Sequence, residues 1–209
     1  GEYYPFSYEN NIITRKQDIT KHHKLYILLL IASHLRFWPR EDRNLFANDF
    51  EILSTYAMKN LFPAWTIKIM GTAQNSSFST YTGGRKKKLE DFAHDLGLRL
   101  IMDERELQHY DAPHGDGQLD VVAWYSFADD ASNFPTILGQ AGCTESEQEM
   151  LSKQINVQIW SNRLRGLSAL ACFFTPQHYR VFNYAFVEPS RISGIFLDRY
   201  RIMSLLKSD

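Results

Sequence analysis

The sequence predicts an α/β domain whose first half is mainly helical and whose second half carries a small mixed sheet flanked by helices. Three observations point to it. Apolar residues recur at three- and four-residue steps through the first hundred positions. After Gly97 the pattern switches to short β-branched and aromatic runs. A further helical stretch lies between two of those runs, the order that carries a chain from one strand across to another. At 209 residues and 44% hydrophobic, the chain is long enough for a real core. We read a single domain over 1–209, helical over 1–97 and sheet-containing over 98–209, because no Pro/Gly/Ser linker divides it. The composition excludes a disordered tail, a collagen-like fibre and a disulfide-stapled miniprotein.

The elements follow in order. A first helix is expected over 19–36, stopped by Pro39. A second runs over 44–61, where Leu45, Phe46, Phe50, Leu53, Ala57 and Leu61 share a face and Pro63 ends the run. A third covers 86–96, with Leu89, Phe92, Ala93 and Leu96 on one side and Gly97 as its C-terminal cap. Strands are expected over 98–102, over 119–125 (LDVVAWY) and over 135–140. The second of these is bounded by the turn-forming Gly115-Asp116-Gly117, in which Asp116 reads as a turn former. Thr144 and Glu147 have capping-box spacing and open a helix over 144–164 that Gly166 closes. A buried strand follows over 167–174, and a final amphipathic helix over 195–206.

Charge and cysteine content narrow the function classes. Lys and Arg total 23 against 24 Asp and Glu, so no bulk charge draws the chain to a polyanion or a membrane. Any such contact must be local, and the dense basic run is Arg85-Lys86-Lys87-Lys88. It follows Gly83-Gly84 at a helix start, a workable contact to a phosphate backbone. The longest apolar run, Leu25 to Ala32, is eight residues, far short of the ~20 of a membrane helix. Cys143 and Cys172 sit in no CxxC pair and suit a reducing compartment; pairing either with His178 as a protease rests on residue type alone. The N-terminus lacks the order of a secretion signal, so a cytoplasmic location without membrane contact is expected. His22, His23, His114 and His178 have no partners at metal spacing, and Trp38, Trp65, Trp124 and Trp160 fall at core periodicity.

The stretch from Gly115 to Gly142 carries the chemistry. Asp120 opens an otherwise apolar strand, an expensive place for a carboxylate without a partner. If 121–125 and 135–139 form an antiparallel hairpin in which 121 faces 139, Asp120 falls opposite Gln140, roughly 5 Å away at Cα. Two oxygen ligands then converge, which suits Mg²⁺ or Mn²⁺ and, through the cation, hydrolysis of a phosphodiester. Met150, Lys153, Val157, Trp160 and Leu164 form one stripe of the following helix, and Lys153 interrupts its apolar face. Its ammonium must snorkel out or meet an anion such as a scissile phosphate.

These residues, Gly-Asp-x-Gln-Leu-Asp120-Val-Val-Ala-Trp, then Leu-Gly-Gln140-Ala-Gly, then a helix with a lysine, resemble the PD-(D/E)xK, or restriction-endonuclease-like, nuclease superfamily of the bacterial anti-phage defence type. Phe50-Glu51 is similar to that family's early acidic residue, and Gly194 to Ile202 (GIFLDRYRI) to a C-terminal feature of such proteins. The resemblance implies a restriction-endonuclease-like core and a Mg²⁺-dependent DNA endonuclease. Asp120 would be its central metal ligand, Gln140 would replace the usual second acid, and Glu51 would be an auxiliary acid. Gly142 stands where the pattern has lysine, so Lys153 is the residue left to supply the ammonium. Cutting both strands implies a homo-oligomer or a subunit of a larger defence complex. Nothing in the sequence separates DNA from RNA as substrate. The alternative is a catalytically degenerate scaffold or adaptor of the same fold that binds a partner protein or nucleic acid.

Overall fold

The computed structural model describes residues 2–71, 77–103, 105–107, 119–127, 129, 131–144, 146–180 and 193–206. The Gly115-Asp116-Gly117 turn and His114 lie outside them. The chain begins with a hairpin of β1 (Phe6–Glu9) and β2 (Ile12–Arg15), which the sequence reading did not anticipate. Its signal was Asn10-Asn11: both residues have positive φ (49° and 63°), which a two-residue primed turn demands and asparagine tolerates.

Helix α1 (Lys21–Ala32) is shorter than the expected 19–36. Thr20 caps it, and His23 takes the place usually held by glutamate in a capping box, its Nδ1 accepting from the Thr20 amide at 3.2 Å. A 3₁₀ turn over Leu35–Phe37 follows, then α2 (Arg40–Leu61), which Pro39 opens as its N-cap. Strand β3 (Thr66–Ile69) lies after Pro63, in a stretch for which the sequence predicts no element. Next come α3 (Arg85–Asp95), β4 (Arg99–Leu100, the remnant of the expected strand 98–102), β5 (Val121–Trp124) and β6 (Thr136–Ala141).

The expected helix over 144–164 is two short ones, α4 (Glu147–Ser152) and α5 (Val157–Arg163). Asn156 breaks the run: its Oδ1 accepts from the amides of Gln158 and Ile159, capping α5 anew. Ser146, rather than Thr144, caps α4 through the Glu149 amide. The predicted stripe is split accordingly. Met150 packs with Phe173 and Phe196, whereas Val157, Trp160 and Leu164 join a different core. The chain ends with β7 (Leu164–Arg165, paired with β4), β8 (Ala169–Phe174), β9 (Ile195–Leu197) and α6 (Arg199–Leu205), so the expected C-terminal helix begins instead as a strand.

One mixed five-stranded sheet has the order β3-β5-β6-β8-β9. β5 runs antiparallel to both of its neighbours, β3 and β6, and β8 and β9 run parallel to β6. All four residues of β5 are buried, as expected for a strand covered on both faces. On one face Val121, Ala123, Ile137 and Phe174 pack with Leu29 of α1, Phe50 and Met58 of α2, and Ile202 of α6. On the other, Val122, Trp124 and Leu138 pack with Leu89 and Phe92 of α3 and Trp160 of α5. The chain is therefore a mixed α/β protein with helices on both sides of its sheet. Trp124 and Trp160 are core residues, but Trp38 sits exposed at the 3₁₀ turn against Phe46.

The stretch 194–202 has a structural task. Asp198, wholly buried, caps α6 through the Arg201 amide and takes both Nε (2.7 Å) and Nη2 (3.1 Å) of the buried Arg180. Next to it Arg199 donates to the Pro176 carbonyl and to Ser33 Oγ, tying α6 to the end of α1. No helix among the described residues is long and apolar enough to cross a membrane.

Candidate active site

The β5–β6 ladder has the register read from the sequence: Val121 pairs with Gly139 and Trp124 with Thr136. Just beyond its end, the Asp120 amide donates to the Gly139 carbonyl at 2.9 Å, which holds Asp120 against Gly139 instead of in a regular pair with Gln140. Three of the sequence-derived residues, Glu51, Asp120 and Lys153, line one pocket of about 330 Å³ at this end of the sheet. Ala47 and Asn48 flank Glu51 on α2, Ala141 and Cys143 carry the wall past β6, and Leu35 closes it from the 3₁₀ turn.

Each side chain is held by a specific feature. Asp120 Oδ2 accepts from the Ala141 amide at 2.8 Å, so its carboxylate is fixed by the neighbouring strand. Glu51 is buried on the inner face of α2, and its carboxylate lies directly over Gly71: a Cβ there would overlap both oxygens. Only glycine permits that approach. The Met70 and Gly71 amides both donate to the Asp120 carbonyl, at 2.7 and 3.0 Å, so this bit of chain beyond β3 spaces the two acids.

Lys153 reaches the pocket from the turn after α4, not from mid-helix. A Cβ on Gly142 would meet the Phe173 ring at 2.6 Å, so no lysine fits at 142, and Lys153 Cδ lies only 3.8 Å from that point. The lysine stem thus runs beside the space that a residue-142 side chain would need. Cys143 sits between the charges. Burial pushes its thiol up to about 12, Lys153 pulling it down and Asp120 pushing it up, so it offers no thiolate at neutral pH. Burial also raises Cys172, and neither cysteine fits a nucleophile paired with His178.

Gln140 is buried in β6, yet it is not part of the pocket wall. Strand alternation puts Ala141 on the α2 side with Ile137, and Gln140 on the α3 side with Leu138. Its Oε1 is buried with no hydrogen-bond partner among the described residues, a state that costs about 1–3 kcal/mol.

The basic run is not a uniform exposed patch. Lys86 and Lys87 are exposed and Arg85 partly so, with Lys87 paired to Asp91 one turn on. Lys88 turns inward, donating to the carbonyls of Met70 (2.8 Å) and Gly71 (2.6 Å). Its pKa is lowered, chiefly by burial; Glu51 and Asp120 oppose that shift. Two of the three donors of Lys88, expected from the sequence to meet nucleic acid, are thus taken up by backbone carbonyls. Asn48, Gly71 and Cys143 were also missed as site residues. Asn48 was within reach, three residues before Glu51 on one helical face.

A second cavity, of about 480 Å³, runs between Gln154–Gln158 and Ala169–Ala171, and none of its described lining residues is charged. Among the described residues no group of three or more His, Cys, Asp and Glu side chains could hold a metal, so a cation would rest on the Glu51 and Asp120 carboxylates. That donor set fits Mg²⁺ or Mn²⁺. Such ions commonly use one or two protein carboxylates and fill the remaining positions with water and phosphate oxygens. Compared with protein-family models, curated protein sequences and solved structures, the chain matches none.

Proposed function

We propose that the chain is a metal-dependent nuclease with a restriction-endonuclease-like core that hydrolyses DNA phosphodiester bonds. On this reading it is the effector of a bacterial anti-phage defence system, works in the cytoplasm, and acts as a homo-oligomer or within a larger defence complex. The observation that carries the proposal is the meeting of Glu51, Asp120 and Lys153 in one pocket, from a helix, a strand start and the turn after the next helix. They come from positions about 70 and 100 residues apart in sequence, and two acids with an ammonium at one opening are the groups that a cation and a phosphate would need.

Glu51 and Asp120 would hold Mg²⁺ or Mn²⁺, with Gln140 nearby in sequence on β6. The bound ion would supply Lewis-acid stabilisation of phosphate charge and make an attacking water more acidic. The Ala141 amide keeps Asp120 Oδ2 oriented, and Gly71 gives Glu51 its place beside it. Lys153 Nζ would orient the water or donate to a phosphate oxygen, the task of the lysine that Gly142 leaves no room for. The pocket is small, so a nucleic-acid strand would lie across its mouth with one phosphate inside.

The test is purified protein incubated with plasmid DNA, and in parallel with RNA, in Mg²⁺ or Mn²⁺, with EDTA controls. Cutting that EDTA abolishes, and that Lys153→Met slows by about a hundredfold, is expected for a positioned proton-handling group. Inactivity of the wild-type chain with both ions and both substrates would favour the adaptor reading instead.

A further inference from the structure

We propose that Lys88 is a positioning residue of the Glu51–Asp120 cation site, acting through the two-residue backbone segment that separates the acids. The inference rests on the reading of those acids as cation ligands. Its geometry is a chain of direct contacts. Lys88 Nζ holds the carbonyls of Met70 and Gly71; the amides of the same two residues hold the Asp120 carbonyl; and the Glu51 carboxylate sits on the Gly71 Cα.

The segment lies past Ile69, where the β3–β5 ladder ends. Its carbonyls at 70 and 71 therefore have no strand partner in that ladder, and carbonyls so placed must find donors elsewhere. A lysine one turn into α3 supplies both bonds from one atom, and its charge lies near two carboxylates that would otherwise repel each other. The neighbouring Lys87 follows the ordinary surface pattern, paired to Asp91 on its own helix. Lys88 instead reaches across to the chain that follows β3.

The effect has a sign that distinguishes positioning from charge. Removing a cation from beside two carboxylates would, through Coulomb's law alone, tighten the binding of Mn²⁺. Losing the clamp instead frees residues 70–71, so Glu51 and Asp120 lose their fixed spacing. Supporting partners of metal ligands typically carry 10- to 100-fold in affinity.

The experiment titrates Mn²⁺ into the full chain and reads free ion by electron paramagnetic resonance. Wild type, Lys88→Met, Lys88→Arg and Gly71→Ala are compared, each checked for native near-ultraviolet circular dichroism. We expect Lys88→Met to weaken binding roughly 10- to 100-fold and Lys88→Arg to recover most of it. Gly71→Ala, which drives a methyl into the Glu51 carboxylate, should weaken binding likewise. Wild-type or tighter affinity in a folded Lys88→Met overturns the inference; if that variant does not fold, wild-type affinity in Gly71→Ala overturns it. Absence of Mn²⁺ binding by the wild type removes the cation reading itself, a result distinct from wild-type binding that Lys88→Met leaves untouched.

Discussion

Asp120→Asn is expected to cut the proposed nuclease activity on the order of a thousandfold while leaving the protein folded. The charge removed is that of the proposed central ligand, so the loss should exceed the 10- to 100-fold of a supporting partner. The fold should survive because asparagine still offers an oxygen to the Ala141 amide. A hydrogen bond to a charged acceptor contributes about 1.5–3 kcal/mol and a neutral one about 0.5–1.5, so roughly 1 kcal/mol of stability is at stake. Relief of repulsion toward Glu51 offsets part of that. Parallel cleavage assays and thermal melts check the prediction. Residual activity within tenfold of wild type, with an unchanged melt, would remove Asp120 from the chemistry.

Asp198→Ala should be the most destabilising single change outside the hydrophobic core. Asp198 is fully buried and takes two guanidinium nitrogens of Arg180, so its removal takes the carboxylate away from a guanidinium whose side chain is itself largely buried. Breaking a buried pair from one side costs about 3–5 kcal/mol. The lost cap on α6 adds about 1 kcal/mol. Against a total domain stability of about 5–15 kcal/mol, that loss is large. Asp198→Asn keeps the cap and isolates the ion-pair share. Urea titrations with both variants provide the measurement, and a loss under about 1 kcal/mol for Asp198→Ala would mean that Arg180 finds another partner.

The parts of the fold that could be read from sequence are those fixed by side-chain periodicity over many residues. Helices α2 and α3 follow from their apolar steps, and the β5–β6 register follows from two apolar runs whose pairing offers few alternatives. What escaped depends on contacts distant in sequence. β3 is four residues long and becomes a strand by pairing with β5, some 55 residues later. The break at 153–156 turns on a single asparagine whose side chain competes with a helical pattern that otherwise continues. The same holds for the site. Asp120 announced itself as a carboxylate in an apolar strand, whereas Lys88 looked like one of four equivalent bases until the fold brought Met70 and Gly71 to its ammonium. Gln140 shows the limit of register reasoning: the ladder is as expected through Val121 and Gly139, but the next amide, that of Asp120, bonds to the Gly139 carbonyl and so leaves the regular register, and Gln140 is not among the residues lining the pocket.

The central claim is that Glu51 and Asp120 jointly hold a hard cation. Anomalous diffraction from crystals soaked in Mn²⁺ tests it most directly. One strong peak is expected in the pocket, about 2.0–2.2 Å from a carboxylate oxygen of each acid, with Lys153 Nζ facing it across the opening. A pocket without anomalous signal at saturating Mn²⁺, or a peak bound by one acid while the other points elsewhere, would contradict it.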